Sequence, residues 1–179
     1  AIETVSQRRR EIKKKKLPEK YIHSACRFAR EAGMQQVKLY GMVGLPHERD
    51  EDLDETIRLL TELAAENKGL KIIWGCSIFT PKVLTPYQNY GVDLNAEKKL
   101  KKLIKALKPQ GIEVREESFK WAQVQALISR GDRSINDVMI RAYQSGKTGF
   151  GIYKKLMDPK DYKHFVFDNW ANKEEALVS

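Results

Sequence analysis

Glu3, Ser6 and Arg8 place a carboxylate, a hydroxyl and a guanidinium close together at the start of the chain. Such a set can hold a zwitterionic, ribose-bearing ligand. The guanidinium takes a ligand carboxylate through bidentate pairing, and the other two groups hydrogen-bond ribose or amine. Arg8 is also the first of three consecutive arginines, so at least one of them is expected to face solvent. A second place for chemistry is the run Leu39-Tyr40-Gly41-Met42-Val43-Gly44-Leu45-Pro46-His47-Glu48. Its apolar residues predict a strand, Gly44 permits a sharp turn or close backbone approach to a ligand, and Pro46 stops strand and helix alike. His47 suits a ligand contact or, with no partner visible in sequence, a polar loop position. Glu48 suits a ligand contact or the dipole of a following helix. His23 and His164 have no metal-ligand spacing to another His, Cys or carboxylate.

The elements that must position these residues follow from periodicity. A strand is expected over 1–4, a short basic helix or turn over 6–16, and a helix over 17–32 that Gly33 closes. Its buried stripe reads as Tyr21/Ile22, Ala25, Phe28, Ala29 and Ala32. A strand over 36–43 leads to a helix over 50–67, capped by Asp50, with Leu53, Ile57, Leu60 and Ala64 on one face. The strand over 71–79 is apolar almost throughout, and alternation sends Gly75, Ser77 and Phe79 to one side. Beyond a loop over 80–91 come a helix over 95–107, a short strand over 112–115, and helices over 118–129 and 135–144. In the helix over 118–129, Phe119, Trp121, Val124 and Leu127/Ile128 form the apolar side. An aromatic segment over 162–170 is expected to dock. Strand–helix–strand alternation with right-handed crossovers predicts a parallel sheet or barrel sector, with ligands at the carboxyl ends of its strands.

Three motifs in this order carry a family resemblance. Gly44-Leu45-Pro46, then Glu48 and an acidic helix start, resembles the fifth-strand motif of the radical S-adenosylmethionine (radical SAM) enzymes. The likeness is greatest to the branch that often carries a cobalamin-binding domain upstream, and smaller to the methylthiotransferases. The family usually has Gly before the Glu and Thr after it, where this chain has His47 and Arg49. Ala1-Ile2-Glu3-Thr4-Val5-Ser6-Gln7-Arg8 resembles the end of the fourth strand, with Val5 in place of a family Gly. Trp74-Gly75-Cys76-Ser77-Ile78-Phe79-Thr80-Pro81-Lys82, with Thr85-Pro86-Tyr87-Gln88, resembles the sixth strand and its exit. Ser129-Arg130-Gly131-Asp132-Arg133 resembles a run in the C-terminal extension of the same branch.

The resemblance implies an α/β chain: the C-terminal portion, about three βα units, of a partial TIM-like (β/α) barrel over 1–91, and a mainly helical extension over 92–179. It implies S-adenosylmethionine as cofactor, held by Glu3, Ser6 and Arg8 and cradled by Val43, Gly44 and Leu45. It also implies a [4Fe–4S] cluster on three closely spaced cysteines. This chain has only Cys26 and Cys76, fifty positions apart, so the ligands would lie upstream, along with any cobalamin-binding domain. The expected partner is then the missing N-terminal half of the same barrel. The whole enzyme would cleave S-adenosylmethionine reductively to a 5′-deoxyadenosyl radical acting on an unknown substrate, in the cytoplasm, and this chain alone would be inactive. Arg8 is expected to matter more for the cofactor than Arg10, which has no counterpart in the motif.

Bulk properties leave one alternative from another class. The net charge of +9 is concentrated in residues 1–20 and 97–108, each +5. A non-catalytic basic module would bind RNA or another acidic partner through 8–16 and 98–108. Leu100, Leu103, Ile104 and Leu107 fall at helical spacing, however, which makes the intervening lysines the solvated face of an ordinary amphipathic helix. No apolar run is long enough for a membrane span, and both cysteines are expected to be free buried thiols.

Overall fold

A computed structural model of the chain describes residues 6–12, 17–147 and 149–170. The strand expected over 1–4, and with it Glu3 and Val5, lies outside the described residues. The elements are α1 (Gln7–Ile12), α2 (Glu19–Glu31), β1 (Gln36–Val43), α3 (Asp50–Glu66), β2 (Lys71–Ile78), α4 (Ala96–Leu107), a 3-10 turn (Lys108–Gln110), β3 (Glu113–Glu116), α5 (Phe119–Arg130), α6 (Ser134–Gln144), α7 (Gly151–Leu156) and α8 (Pro159–Val166). They form two compact units. One joins the described residues up to Ser77 with Asn95–Glu117, and the other joins Ile78–Leu94 with the described residues from Ser118 on. This division differs from the expected boundary at 91/92. Helix α4 packs against α3, β1 and β3, and β3 extends the sheet, so both belong with the strands that precede them.

The first unit is α/β, with a three-stranded parallel sheet in the order β1-β2-β3. Strand β3 runs parallel to β2, with Trp74 beside Val114 and Gly75 beside Arg115. The two faces of the sheet differ in how completely they are covered. A side chain at Gly41 would run into Trp74, so those residues share a face, and on it Val43, Ile72, Trp74, Cys76 and Ile78 are all buried. A side chain at Gly75 would meet Lys38 and Tyr40. On that face Lys38, Tyr40, Ser77 and Arg115 are exposed, whereas Ile73 and Gly75 are buried. The buried face forms the core with Ile22, Cys26 and Ala29 of α2, Leu53, Leu59, Leu60 and Leu63 of α3, and Leu100, Leu103 and Leu107 of α4.

Two stripes differ from expectation. In α2 the buried line is Ile22, Cys26 and Ala29, while Tyr21 and Phe28 are 55% and 59% exposed and Ala25 and Ala32 are exposed with them. The helix is apolar over a wider arc than one neighbour covers, and the aromatic part of that arc faces out. In α5, Ala122, Val124, Ala126 and Leu127 are buried, whereas Trp121 and Ile128 are exposed. Small residues there admit α8, whose Tyr162 hydroxyl donates to Gln123 Oε1 at 2.9 Å in the interior.

In the second unit the loop after β2 is pinned to the segment following α8. The Val92 amide donates to the Val166 carbonyl at 2.8 Å, Gly91 N–H to Asn169 Oδ1 at 2.9 Å, and Trp170 N–H to the Asn89 carbonyl at 2.6 Å. Arg130 is buried, stacks on the Trp170 indole at 3.8 Å and donates to the Asp168 carbonyl at 2.7 Å. Burial pushes its pKa down to about 10. A methyl group at Gly131 would overlap Ile135 and the Leu127 carbonyl, which explains glycine between α5 and α6. Among the described residues no helix is long and apolar enough to cross a membrane.

Candidate functional site

The carboxyl end of β1 leads straight into the Gly44–Glu48 turn. Gly44 adopts φ +80°, a left-handed conformation that glycine reaches without strain. The turn closes through Glu48 N–H on the Leu45 carbonyl at 3.0 Å. Glu48 then folds back, and its Oε2 accepts from Gly44 N–H at 2.8 Å and from Lys99 Nζ of α4 at 3.1 Å. The Glu48 side chain is only 4% exposed. Burial raises its pKa, against the opposing pull of Gly44, Lys99 and Arg9. Cys76 of β2 lies within reach of the same charge; burial first and then Glu48 push its thiol well up, so it is an unreactive thiol at neutral pH.

His47 also adopts a left-handed conformation, at φ +60°. This is the position where the resembled motif carries Gly. A non-glycine residue is strained there by about 1–2 kcal/mol, of which glycine's extra chain entropy gives back part. His47→Gly is therefore expected to stabilise the protein by about 0.5–1 kcal/mol, seen as a melting temperature raised by a few degrees.

Ser6 and Arg8 are brought together as expected, but on a residue the sequence reading did not single out. Asp52 Oδ1 accepts from Ser6 Oγ at 2.8 Å and from Arg8 Nε at 3.1 Å, while Oδ2 accepts from Arg8 Nη2 and from the Arg49 amide at 2.9 Å. Arg8 Nη2 also reaches the His47 carbonyl at 3.4 Å. The N-cap of α3 is thus Arg49, not Asp50 as expected, with Asp52 at the third helical position supplying the carboxylate that returns to the cap amide. Burial tends to raise the Asp52 pKa, but Arg8, the Arg49 amide and Ser6 hold it below the usual carboxylate range. Asp52 was legible as the third residue after a helix cap, had the cap been placed at Arg49. Lys99, fifty-one positions from Glu48, carried no such signal.

Val43 and Leu45 are almost completely buried, so this turn offers a ligand mainly its backbone. Arg9 is 1% exposed, and among the described residues its Nε and Nη2 have no hydrogen-bond acceptor. A separate cluster joins α2 and α3, where ligand-type atoms of Glu19, His23 and Glu62 lie within 4.8 Å of one another. Arg58 already bridges Glu19 and Glu62, and Glu66 holds His23 Nδ1 at 2.7 Å. The cluster has a resident cation and reads as a surface ion network.

An uncharacterized protein of Methanocaldococcus jannaschii is similar to this chain, with 38% identity over 136 residues that cover 76% of the chain. The chain spans about 30% of the length of that relative. No family model and no solved structure matches the chain.

Proposed function

We propose that this chain is the C-terminal portion of the barrel of a radical SAM iron–sulfur enzyme, with its helical extension. The observation that carries the reading is the two-faced parallel sheet. Parallel sheets are normally covered on both faces. Here one face is packed throughout, and the other is partly open, with Ile73 and Gly75 buried but Lys38, Tyr40, Ser77 and Arg115 exposed. A sector of a barrel gives that asymmetry, with helices on its outer face and an inner face left for the rest of the barrel and for ligands at the carboxyl ends of the strands. The exposed line Tyr21, Ala25, Phe28 and Ala32 on α2 supports it too, as the face a preceding barrel helix would cover. The greater length of the archaeal relative leaves room for such units.

The fit of the two cofactors differs. Cys26 and Cys76 are buried free thiols and cannot hold a cluster, which needs three ligands from upstream. The Gly44 turn and the α1 arginines suit S-adenosylmethionine: Gly44 lets backbone approach the nucleoside, and a guanidinium takes the carboxylate. Bound together, cluster and cofactor would supply radical hydrogen abstraction; these residues would bind and orient.

The basic-module alternative is weakened by pairing. Lys99, Lys101 and Lys102 of α4 are held by Glu48, Glu97 and Asp54, and Arg8 by Asp52. The test is direct. Anaerobic reconstitution of this chain with iron and sulfide should leave no cluster after desalting. The longer polypeptide encoded with it should gain one and release 5′-deoxyadenosine from S-adenosylmethionine when reduced. A stable cluster on this chain, or none on the longer one, would sink the proposal.

A further inference from the structure

Within the second unit, residues 138–157 hold four cations, Arg141, Lys147, Lys154 and Lys155, and no carboxylate. Tyr143, Phe150 and Tyr153 lie between them in sequence. The fold brings the end of this run against the start of α5. Helix α7 packs on α6, and the Trp121 ring of α5 meets Tyr153 of α7 edge to face at 6.4 Å. Beside them Lys120 Nζ stands 5.3 Å from the centre of the Phe150 ring. Trp121 is 43% exposed, Phe150 and Tyr153 are half-buried, and Lys120, Lys154 and Lys155 are exposed. Aromatic rings and ammonium groups therefore share one patch.

These cations differ from the lysines of α4. Lys99, Lys101 and Lys102 are each held by a carboxylate. Among the described residues, Lys120, Lys147, Lys154 and Lys155 form no ion pair. Acidic groups elsewhere in the unit are engaged: Asp158 accepts from the Lys160 amide and Asp132 from the Ser134 amide, both at 2.8 Å, and Asp168 holds Lys163 at 3.4 Å. The patch is thus complementary to an anion from outside. A membrane surface requires an apolar face that protrudes into the acyl boundary, whereas these rings are packed on one another and offer flat surfaces. Single-stranded nucleic acid supplies both halves of the complement in every nucleotide, a phosphate for a cation and a base for a ring.

We infer that the patch between α5 and α7 binds single-stranded nucleic acid. Trp121 and Tyr153 stack bases, and Lys120, Lys154 and Lys155 hold backbone phosphates. The assignment is independent of the radical SAM reading, because it involves no cofactor and no residue of the Gly44 turn.

Fluorescence anisotropy of the whole chain with labelled single strands of about twelve nucleotides, RNA or DNA, tests it. A duplex of the same RNA and vesicles of phosphatidylserine and phosphatidylcholine are the comparison probes. Wild type should bind one or both single strands at least about tenfold tighter than the duplex. Trp121→Ala should weaken that binding about five- to a hundred-fold. Lys154→Gln combined with Lys155→Gln should reduce the slope of log affinity against log salt by about 1.4, the contribution of two phosphates. Lys98→Gln combined with Lys105→Gln on α4, where both side chains are exposed, should leave affinity and slope unchanged. Should Trp121→Ala fail to fold, the two lysine pairs decide, since all four side chains are exposed. Equal effects of the two pairs, a duplex bound as tightly as the single strands, vesicle binding without nucleic-acid binding, or no binding at all would each overturn the inference.

Discussion

Asp52→Ala should cost about 3 kcal/mol of stability at pH 7, and Asp52→Asn nearly as much. The carboxylate is 4% exposed and accepts from Ser6, Arg8 and the Arg49 amide. Removing it orphans a buried hydroxyl, an arginine and the first turn of α3 at once. Breaking a buried pair costs about 3–5 kcal/mol, and the partial exposure of Arg8 places this case at the lower end. The pH dependence gives a second check. The folded-state pKa of Asp52 is depressed, so its stabilisation is fully present above about 3.8 and fades as pH falls through the lower folded value. Denaturant midpoints from pH 2 to 7 should therefore show a shallower acid limb in Asp52→Ala than in wild type. A cost below about 1 kcal/mol would mean that Arg8 and Ser6 find other partners freely.

Lys99→Met is the second large effect, and its pH sign is the reverse. Glu48 is buried, and its pKa is raised by burial despite Lys99 and the Gly44 amide. A carboxylate with a raised folded pKa holds its proton more tightly folded than unfolded. Its contribution is therefore most favourable below about 4.5 and is lost as pH climbs through the folded value. Deleting Lys99 leaves the anion with less compensation, so the loss should be about 3 kcal/mol near pH 8. It should shrink to a small packing change near pH 4, where Glu48 is neutral. Paired urea titrations at the two pH values measure it. A loss equal at both would show that the Lys99 stem, not its charge, matters.

Local signals made much of the first unit legible. Strand β1 spans the expected 36–43, and α3 and β3 fall within a residue or so of expectation, because Gly, Pro and periodic leucines mark their ends. The phase of α2 was not legible. Ile22-Cys26-Ala29 and Tyr21-Ala25-Phe28-Ala32 are both sound helical stripes, and only the neighbouring α3 selects the first. The site was half legible: Ser6, Arg8 and Gly44 announce themselves, whereas Asp52 and Lys99 act across 46 and 51 positions. Such contacts depend on how βα units stack, and adjacent residues do not encode that. The pairing of β3 with β2 across α4 is long-range in the same way.

The interleaving of the two units sets an order of events during synthesis. Ile78–Leu94 leaves the ribosome before Asn95–Glu117, yet β3 completes the earlier sheet and the partners of Asn89, Gly91 and Val92 come only at 166–170. The sheet can therefore close while the intervening loop still waits, unclaimed, for more than seventy further residues. Domains fold as units as they emerge, so a pause in translation just after β3 would hold a finished first unit with the 78–94 segment still waiting for its later partners. Phe79, Tyr87 and Tyr90, which touch one another edge to face, are the aromatic groups such a pause would leave in water.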